Sequence, residues 1–476
     1  MLGLFGILNL STRSMQTQRA GVEVAGQNLA NVNNPAYARQ RVAIATSLTV
    51  MGEMGPQGTG ADAVAIVQMR NAILDNQIQA EASVRGSLSA QQIALQYAQA
   101  ALGVQIDTTT SSAEGAAAAQ GVGGAHSLAD SLGQLFNAFQ SLSTNPTSMA
   151  ERQTLLMKAD ALATQFNQLD GRLANLKASL NSSINSDVAA ANQLLTDIAK
   201  LNDQIGRIES AGQGSANDLR DARQERLEAL AKYVKMDVSP GDSGALDIYI
   251  AGTPMVLNSA VTNTLEVYDA GGGQVLTRTA GTGTPLTLTG GSIQGTIEAR
   301  DGTVADLEAR INSLAFQLIN QVNAVHATGF NLTGGTGANF FTGADAGDIG
   351  VNRALIDDPS LVQAAGVAGT PGDNQTALAL AQLAQMKVAS FNNQTFSQFY
   401  GQTIASFGQS LSSTNLALSD QQTVENMLLQ QRDSIGGVSL DEEMADLMRF
   451  QKAFAASARL ITTVDEMLND VVNLKR

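Results

Sequence analysis

The sequence contains no cysteine and no tryptophan, only two histidines, and 4% aromatic residues in a chain of 476. Without cysteine it can form neither a disulfide nor a thiolate metal site, and its cysteine usage is silent on redox compartment. Basic residues are also scarce: 28 Lys and Arg against 43 Asp and Glu give a net charge of -15. That excludes general nucleic-acid binding, because neutralising phosphates takes clustered Lys and Arg. No uncharged apolar run approaches the roughly 18 residues needed to span a membrane, so no membrane insertion is expected. The first 25 residues lack a basic segment ahead of the apolar part and an Ala-x-Ala cleavage site, and Arg13 interrupts the apolar stretch, so a cleavable signal peptide is not expected.

What is present is small and polar: 45 glycines with abundant Ala, Ser, Thr, Asn and Gln. Such a composition makes a light core, which unfolds and refolds at lower cost than that of an aromatic-rich enzyme. The length suits about two to four domains of ordinary size.

Both ends carry heptads. Near the start, Leu4, Leu8, Ser11, Met15, Gln18, Val22, Ala25 and Leu29 recur at alternating steps of four and three, which is the seam of a coiled coil. Four glycines and two polar seam positions make that helix marginal alone. It stops at "NLANVNNPAYARQRV": asparagine tolerates the left-handed conformation that ends helices, and Pro35 pushes Asn34 towards extended geometry. An extended segment with Tyr37, Arg39 and Arg41 follows. At the other end Ser439 and Glu442 spell a capping box. After it Leu440, Met444, Leu447, Gln451, Phe454, Ala458, Ile461, Asp465, Leu468 and Val472 keep heptad spacing. Two weak heptad helices at opposite ends suggest a pair that folds together or with neighbours; the alternative is that each packs separately on the central region.

Between them the pattern is mainly helical. Residues 33–70 read as extended, with helices expected over about 71–102 and 127–142, a further one over about 217–234, and a long helical stretch before it in a helical body of 148–234. In the long stretch, Leu155, Ala159, Leu162, Phe166, Leu169, Leu173 and Leu176 keep the heptad, and steps of four through Leu180, Ile184 and Val188 break it, as a stutter or a helix boundary. Residues 236–303 show period-two apolar positions at Leu246, Ile248 and Ile250 between Gly and Pro turns, a small β unit. Helix resumes near Val304, an irregular segment covers 329–372, and the rest is helix with a break. The fold class is mainly α with a smaller β domain (α+β). Its division is a terminal coiled-coil domain of 1–32 and 440–476, a helical body of 33–235 and 304–439, and an outer β-rich domain of 236–303.

Catalytic material is thin. His126 and His326 have no second histidine or Glu-x-x-His arrangement for a metal, and both read as solvent-facing or satisfied side chains. Gly241-Asp242-Ser243-Gly244 resembles the nucleophile motif of chymotrypsin-like proteases, but it stands in a Pro and Gly turn without a base nearby in sequence, and a plain turn is the better reading. The run Gly334 to Asn339 lacks the Gly-Lys-Ser/Thr of a phosphate loop, and "TGADAGD" lacks the spaced ligands of a calcium loop. No cofactor and no metal site are expected.

The two ends do resemble a known family. The first helix, closing in "NLANVNNPAYARQ", resembles the N-terminal signature of bacterial flagellar axial proteins, in which a helix ends in a motif like Asn-x-x-Asn-x-x-Thr-Pro-Gly-Tyr. Asn28, Ala30, Asn31, Pro35 and Tyr37 match; Asn34 replaces the usual Thr and Ala36 the usual Gly. Arg39-Gln40 after the Tyr, the segment "GVSLDEEMADLMRFQKAFAASARLITTVDEML", and the middle stretches "GSIQGTIEARDGTV" and "INSLAFQLINQVNAVHATGFNLTG" are similar to the hook-associated branch of that family at the hook–filament junction.

The resemblance implies a structural, non-enzymatic junction protein, extracellular in the flagellum and exported by the flagellar type III apparatus. Its terminal helices would form the inner coiled-coil layer of a tubular assembly, with the long helices outside them and the β unit outermost. It further implies four partners: copies of the same chain, the flagellar hook protein, the second hook–filament junction protein, and a dedicated export chaperone on the C-terminal helix. Assembly residues would be Leu4, Leu8, Met15, Val22, Leu29, Asn31, Pro35, Tyr37, Arg39 and Arg41 at one end and the C-terminal heptad from Leu440 to Val472 at the other, with Arg39 and Arg41 free for neighbouring carboxylates or carbonyls. Alternatives are another axial protein, of the hook or distal rod, which a helical body at 148–234 argues against, and an extracellular hydrolase built on Ser243.

Overall fold

One helix organises the molecule. In the computed structural model, which describes residues 3–52, 55–103, 127–212 and 214–473, α4 (Met149–Ser210) is a continuous helix of 62 residues whose N-cap Ser148 accepts from the amide of Glu151. At 1.5 Å per residue it is about 90 Å long. The steps of four are therefore a stutter inside one helix. Each such step turns the apolar stripe by about 40°, and the stripe changes partners where this happens. Leu155 to Leu180 belong to a core shared with α2 (Ala72–Leu102), α3 (Leu128–Thr144), α7 (Ala305–His326), α9 (Gln375–Gln382) and α10 (Phe396–Gly436). From Ile184 to Ile198 the helix contributes to a second core, with α5 (Asn217–Tyr233) and the central strands. The buried aromatics are pooled in the first core, where Phe340 meets Phe341 at 4.9 Å and Phe391 stacks on Phe399 at 4.0 Å.

The β unit is an antiparallel sheet of β5 (Asp237–Pro240), β6 (Leu246–Ile250), β7 (Thr253–Leu257) and β8 (Ala260–Val261), in that order, with a hairpin of β9 (Leu265–Gly271) and β10 (Gln274–Thr279) beside it. Strands end at Thr279, so the expected β region of 236–303 is too long. Helix α6 (Gly291–Glu298) runs through a π-helical turn, Ala299–Val304, into α7. Two glycines of α6 serve close packing: a Cβ on Gly291 would lie 2.2 Å from the carbonyl oxygen of Tyr233, and one on Gly295 2.1 Å from that of Ser87.

The expected extended segment forms a ribbon of β1 (Gln40–Thr46) on β4 (Ala61–Gln68), antiparallel, tipped by β2 (Thr49–Gly52) and β3 (Gly55–Gly58). The irregular segment holds the short pair β11 (Phe341–Thr342) and β12 (Gly350–Val351) and the helix α8 (Arg353–Asp357). The late break lies between α9 and α10, where Asn392 and Asn393 take φ of 53° and 59°, and a capping box of Thr395 and Gln398 starts α10. His126 lies outside the described residues.

Candidate assembly interface

The terminal helices, α1 (Leu4–Ala30) and α11 (Leu440–Asn473), pack on each other antiparallel. Ser14 Oγ lies 2.9 Å from Ser457 Oγ, Gly21 faces the ring of Phe450, and Asn28 Nδ2 donates to Glu443 Oε2 at 2.9 Å. These pairs recur every seven residues on both helices, so the contact is a heptad seam. It runs one residue ahead of half of the apolar heptad: Ser14, Gly21 and Asn28 stand where Met15, Val22 and Leu29 were expected, and Glu443, Phe450, Ser457 and Val464 where Met444, Gln451, Ala458 and Asp465 were. The physical reason is closeness. Small residues let the backbones approach, and at Gly21 a Cβ would be 2.6 Å from the Phe450 ring.

The larger residues fall elsewhere. Leu4, Leu8, Met15, Val22, Leu29, Leu447, Phe454, Ala458, Ile461 and Leu468 are half-buried along the edges of the seam, while Leu440, Met444, Gln451 and Val472 are exposed. Met448, Leu460, Met467 and Val471 join them in the open, and on α1 Phe5 is 70% exposed. The β1–β4 ribbon lies against α1, with Thr17 Oγ1 donating to Ala61 O at 2.9 Å and Arg13 pairing with Asp62 at 3.2 Å. On the ribbon Ile44, Val64 and Ile66 are left exposed.

A polar clamp closes the end of the pair. Asn28, 1% exposed, is not part of the helix stop but its hub. Its Oδ1 accepts from Tyr37 Oη at 2.8 Å and Gln40 N at 3.0 Å, while its Nδ2 donates to Gln40 O at 2.9 Å besides Glu443. The stop itself uses no left-handed residue: Asn31, half-buried, ends α1 at φ -102° and donates from Nδ2 to Gln27 O. The exposed Pro35 follows Asn34, whose Oδ1 accepts from Ala36 N at 3.1 Å.

Arg39 is not available to neighbours, contrary to expectation. It is buried, and donates from Nε to Glu443 Oε1 and from Nη1 to Glu442 Oε2, both at 2.6 Å. Glu442 thus spends its carboxylate on Arg39 and not on a capping box with Ser439. Burial opposes the guanidinium charge, but the bonds to Glu442 and Glu443 outweigh it and raise its pKa. Arg41 is exposed. Burial first, then the charges of Asp218, Asp221 and Glu443, push the Tyr37 hydroxyl well above its ordinary range, so it stays a donor. Arg70 ties the clamp to the body, donating to Asp221 Oδ1 at 2.6 Å, Ala36 O at 3.0 Å and Asp75 Oδ2 at 3.3 Å. Asn28, Glu442 and Glu443 were missed as a site; the only sequence signal was their place in the two terminal motifs.

The sites weighed for chemistry are occupied by their own chain. His326 is fully buried, with Nδ1 2.8 Å from Ala338 O and Nε2 accepting from Gln363 N at 3.0 Å. Ser243 sits in a turn at φ 52°. Asn331 Oδ1 takes the amides of Thr333 and Gly335. Asp348 Oδ1 takes those of Ala344 and Asp345. Among the described residues no helix is long and apolar enough to cross a membrane.

Residues 119–341 match the family model of the helical domain of flagellar hook-associated protein FlgK, and residues 429–474 that of the C-terminal region of flagellar basal body rod FlgEFG proteins. The chain is 26% identical to flagellar hook-associated protein 1 of Bacillus subtilis, with 99% of each chain covered. It is 22% identical to that of Salmonella typhimurium, covering 98% of this chain and 100% of the relative. The structure of the flagellar hook junction protein FlgK from Burkholderia pseudomallei shares the fold at a TM-score of 0.62 and 15% identity, over 76% of this chain and 100% of that one. With both its helical body and its C-terminal helix matched, and relatives aligned from end to end, the chain belongs to the flagellar hook-associated protein 1 family.

Proposed function

We propose that this protein is a structural adaptor joining the flagellar hook to the filament, that it has no catalytic role, and that it assembles through its terminal helices. The observation that carries the reading is the surface of the terminal pair. On α1 its seam is made of Ser14, Gly21 and Asn28, facing Ser457, Phe450 and Glu443 of α11, while Leu440, Met444, Met448, Met467 and Val471, each about half exposed, are left on the outside of α11. A pair with small residues on one side of its seam and large apolar ones on its outer face has surface for neighbouring copies to cover, so that assembly completes the stability of the pair.

In this reading the terminal pair, residues 1–32 and 440–476, is the inner layer, the helical body comes next and the β unit faces outward. Partners are copies of the chain, the hook protein below, the second junction protein above, and an export chaperone that holds the C-terminal helix before secretion by the flagellar apparatus. Arg41, exposed beside the buried Arg39, is the arginine left for a neighbour. The test is electron microscopy of cells lacking the gene, scoring hooks and filaments separately. Hooks without filaments and flagellin in the medium are the expected result; missing hooks would move the protein to the rod or hook, and intact flagella would overturn the reading.

A further inference from the structure

Helix α4 meets the β unit through three asparagines on one side, Asn181, Asn192 and Asn202. Successive members are about three helical turns apart, hence about 16 Å apart along the axis. Each reaches for main chain. Asn192 donates from Nδ2 to Leu265 O at 2.8 Å and accepts at Oδ1 from Leu265 N at 2.8 Å, so its carboxamide stands where the peptide of a neighbouring strand would. Asn202, 1% exposed, does the same to Leu246, with O at 2.8 Å and N at 3.2 Å, and also donates to Asn258 O. Its Oδ1 takes a second bond, from Nη1 of the buried Arg223 at 2.7 Å.

Asn181 completes the row from the stutter. Its Nδ2 donates to Gly273 O in the β9–β10 turn at 3.0 Å, and its Oδ1 accepts from Arg300 Nη1 at 2.6 Å. The same Nη1 donates to Val275 O at 2.9 Å. Arg300 lies in the π-helical turn, wholly buried and held from Nε and Nη2 by both oxygens of Asp301 at 2.7 Å.

Apolar packing of Ile184, Val188, Leu195 and Ile198 against Ile248 and Val256 is non-directional and tolerates sliding. A carboxamide that both gives to and takes from one peptide does not, because sliding breaks both bonds at once, and at Leu265 and Asn202 the group left alone is buried. We infer that these three asparagines, with Arg300, form an amide clamp that fixes the β unit in one register and one orientation on α4, so that β unit and helical body move as one piece. This stands whether or not the junction reading holds.

The absence of cysteine makes the test clean. Spin labels at Met157→Cys on α4 and Ala270→Cys at the β9–β10 tip, both exposed positions, report the distance between them in the full chain by pulsed electron resonance. One narrow distribution is expected, becoming broad or multiple when Asn181, Asn192 and Asn202 are all changed to Ala; an unchanged distribution overturns the clamp. Because Asn202 also serves Arg223, the triple variant can lose its fold, and Asn192→Ala alone then decides. Exchange of the Leu265 amide is expected to quicken about tenfold relative to Leu246, and equal exchange overturns the inference.

Discussion

Arg39 and Glu443 are 404 residues apart in sequence and 2.6 Å apart in space, and both are nearly closed to water. Breaking a buried pair by removing one partner costs about 3–5 kcal/mol, because a charge is left uncompensated. Arg39→Ala should therefore release α11 from α1 in the monomer, with faster amide exchange along both helices. The neighbouring pair differs. The side chain of Glu442 is 62% exposed, and such an ion pair is worth about 0–1 kcal/mol, so Glu442→Gln should leave exchange nearly unchanged. Equal effects of the two substitutions would show that Arg39 is not the closing residue.

Glycines separate by what surrounds them. A Cβ on Gly295 would meet the carbonyl of Ser87 at 2.1 Å, and backbone cannot swing aside. Gly295→Ala should destabilise the chain by at least about 1–3 kcal/mol, the ordinary cost of overpacking. Gly171 lies in the middle of α4 with nothing within 4 Å of the corresponding position. Gly171→Ala should stabilise by about 0.5–1 kcal/mol through helix propensity alone. Denaturant midpoints of the two variants, on opposite sides of the wild type, are the check.

The same contrast explains what was legible in the sequence. The heptads of α4 could be read because its core is built from Leu, Ile and Phe, whose size announces their face. The terminal seam was read one residue late along half its length, because Ser14, Gly21 and Ser457 were selected for smallness and the conspicuous Met15, Val22 and Met444 face its edge or the outside. Likewise nothing in a one-dimensional string marks Gly291 and Gly295 as packing residues; the carbonyls of Tyr233 and Ser87 do. Arg39 and Glu443 announce charge, which sequence reading assigns to the surface; their burial depends on a contact between opposite ends of the chain.

His326 should set part of the acid sensitivity. Burial lowers its pKa to about 4, and the nearby Arg152 acts in the same direction, against the ordinary 6.5 of the unfolded chain. The folded state holds it neutral, so its contribution is full above pH 6.5 and is lost as the pH falls towards 4, where the unfolded state binds the extra proton. The loss is of order 3 kcal/mol over that window. Unfolding free energies measured from pH 7 to pH 4 should fall less steeply in His326→Gln than in wild type. Parallel curves would mean that the ring titrates in the folded protein much as it does in the open chain.

Outward methionines give the sharpest division between folding and assembly. Met444 and Met467 are 46% and 53% exposed on α11, away from the positions that face α1. Surface substitutions of this kind usually change stability by no more than about 0.5 kcal/mol, so Met444→Lys with Met467→Lys should leave the melting curve of the monomer in place. If neighbouring copies cover this face, the same variant buries two ammonium groups in an apolar contact and should fail to restore filaments to cells lacking the gene. Ala270→Lys, at the tip of the β unit, should restore them. Filaments formed by the double lysine variant would remove α11's outer face from the interface and leave the exposed apolar residues of the β1–β4 ribbon as the surface to examine.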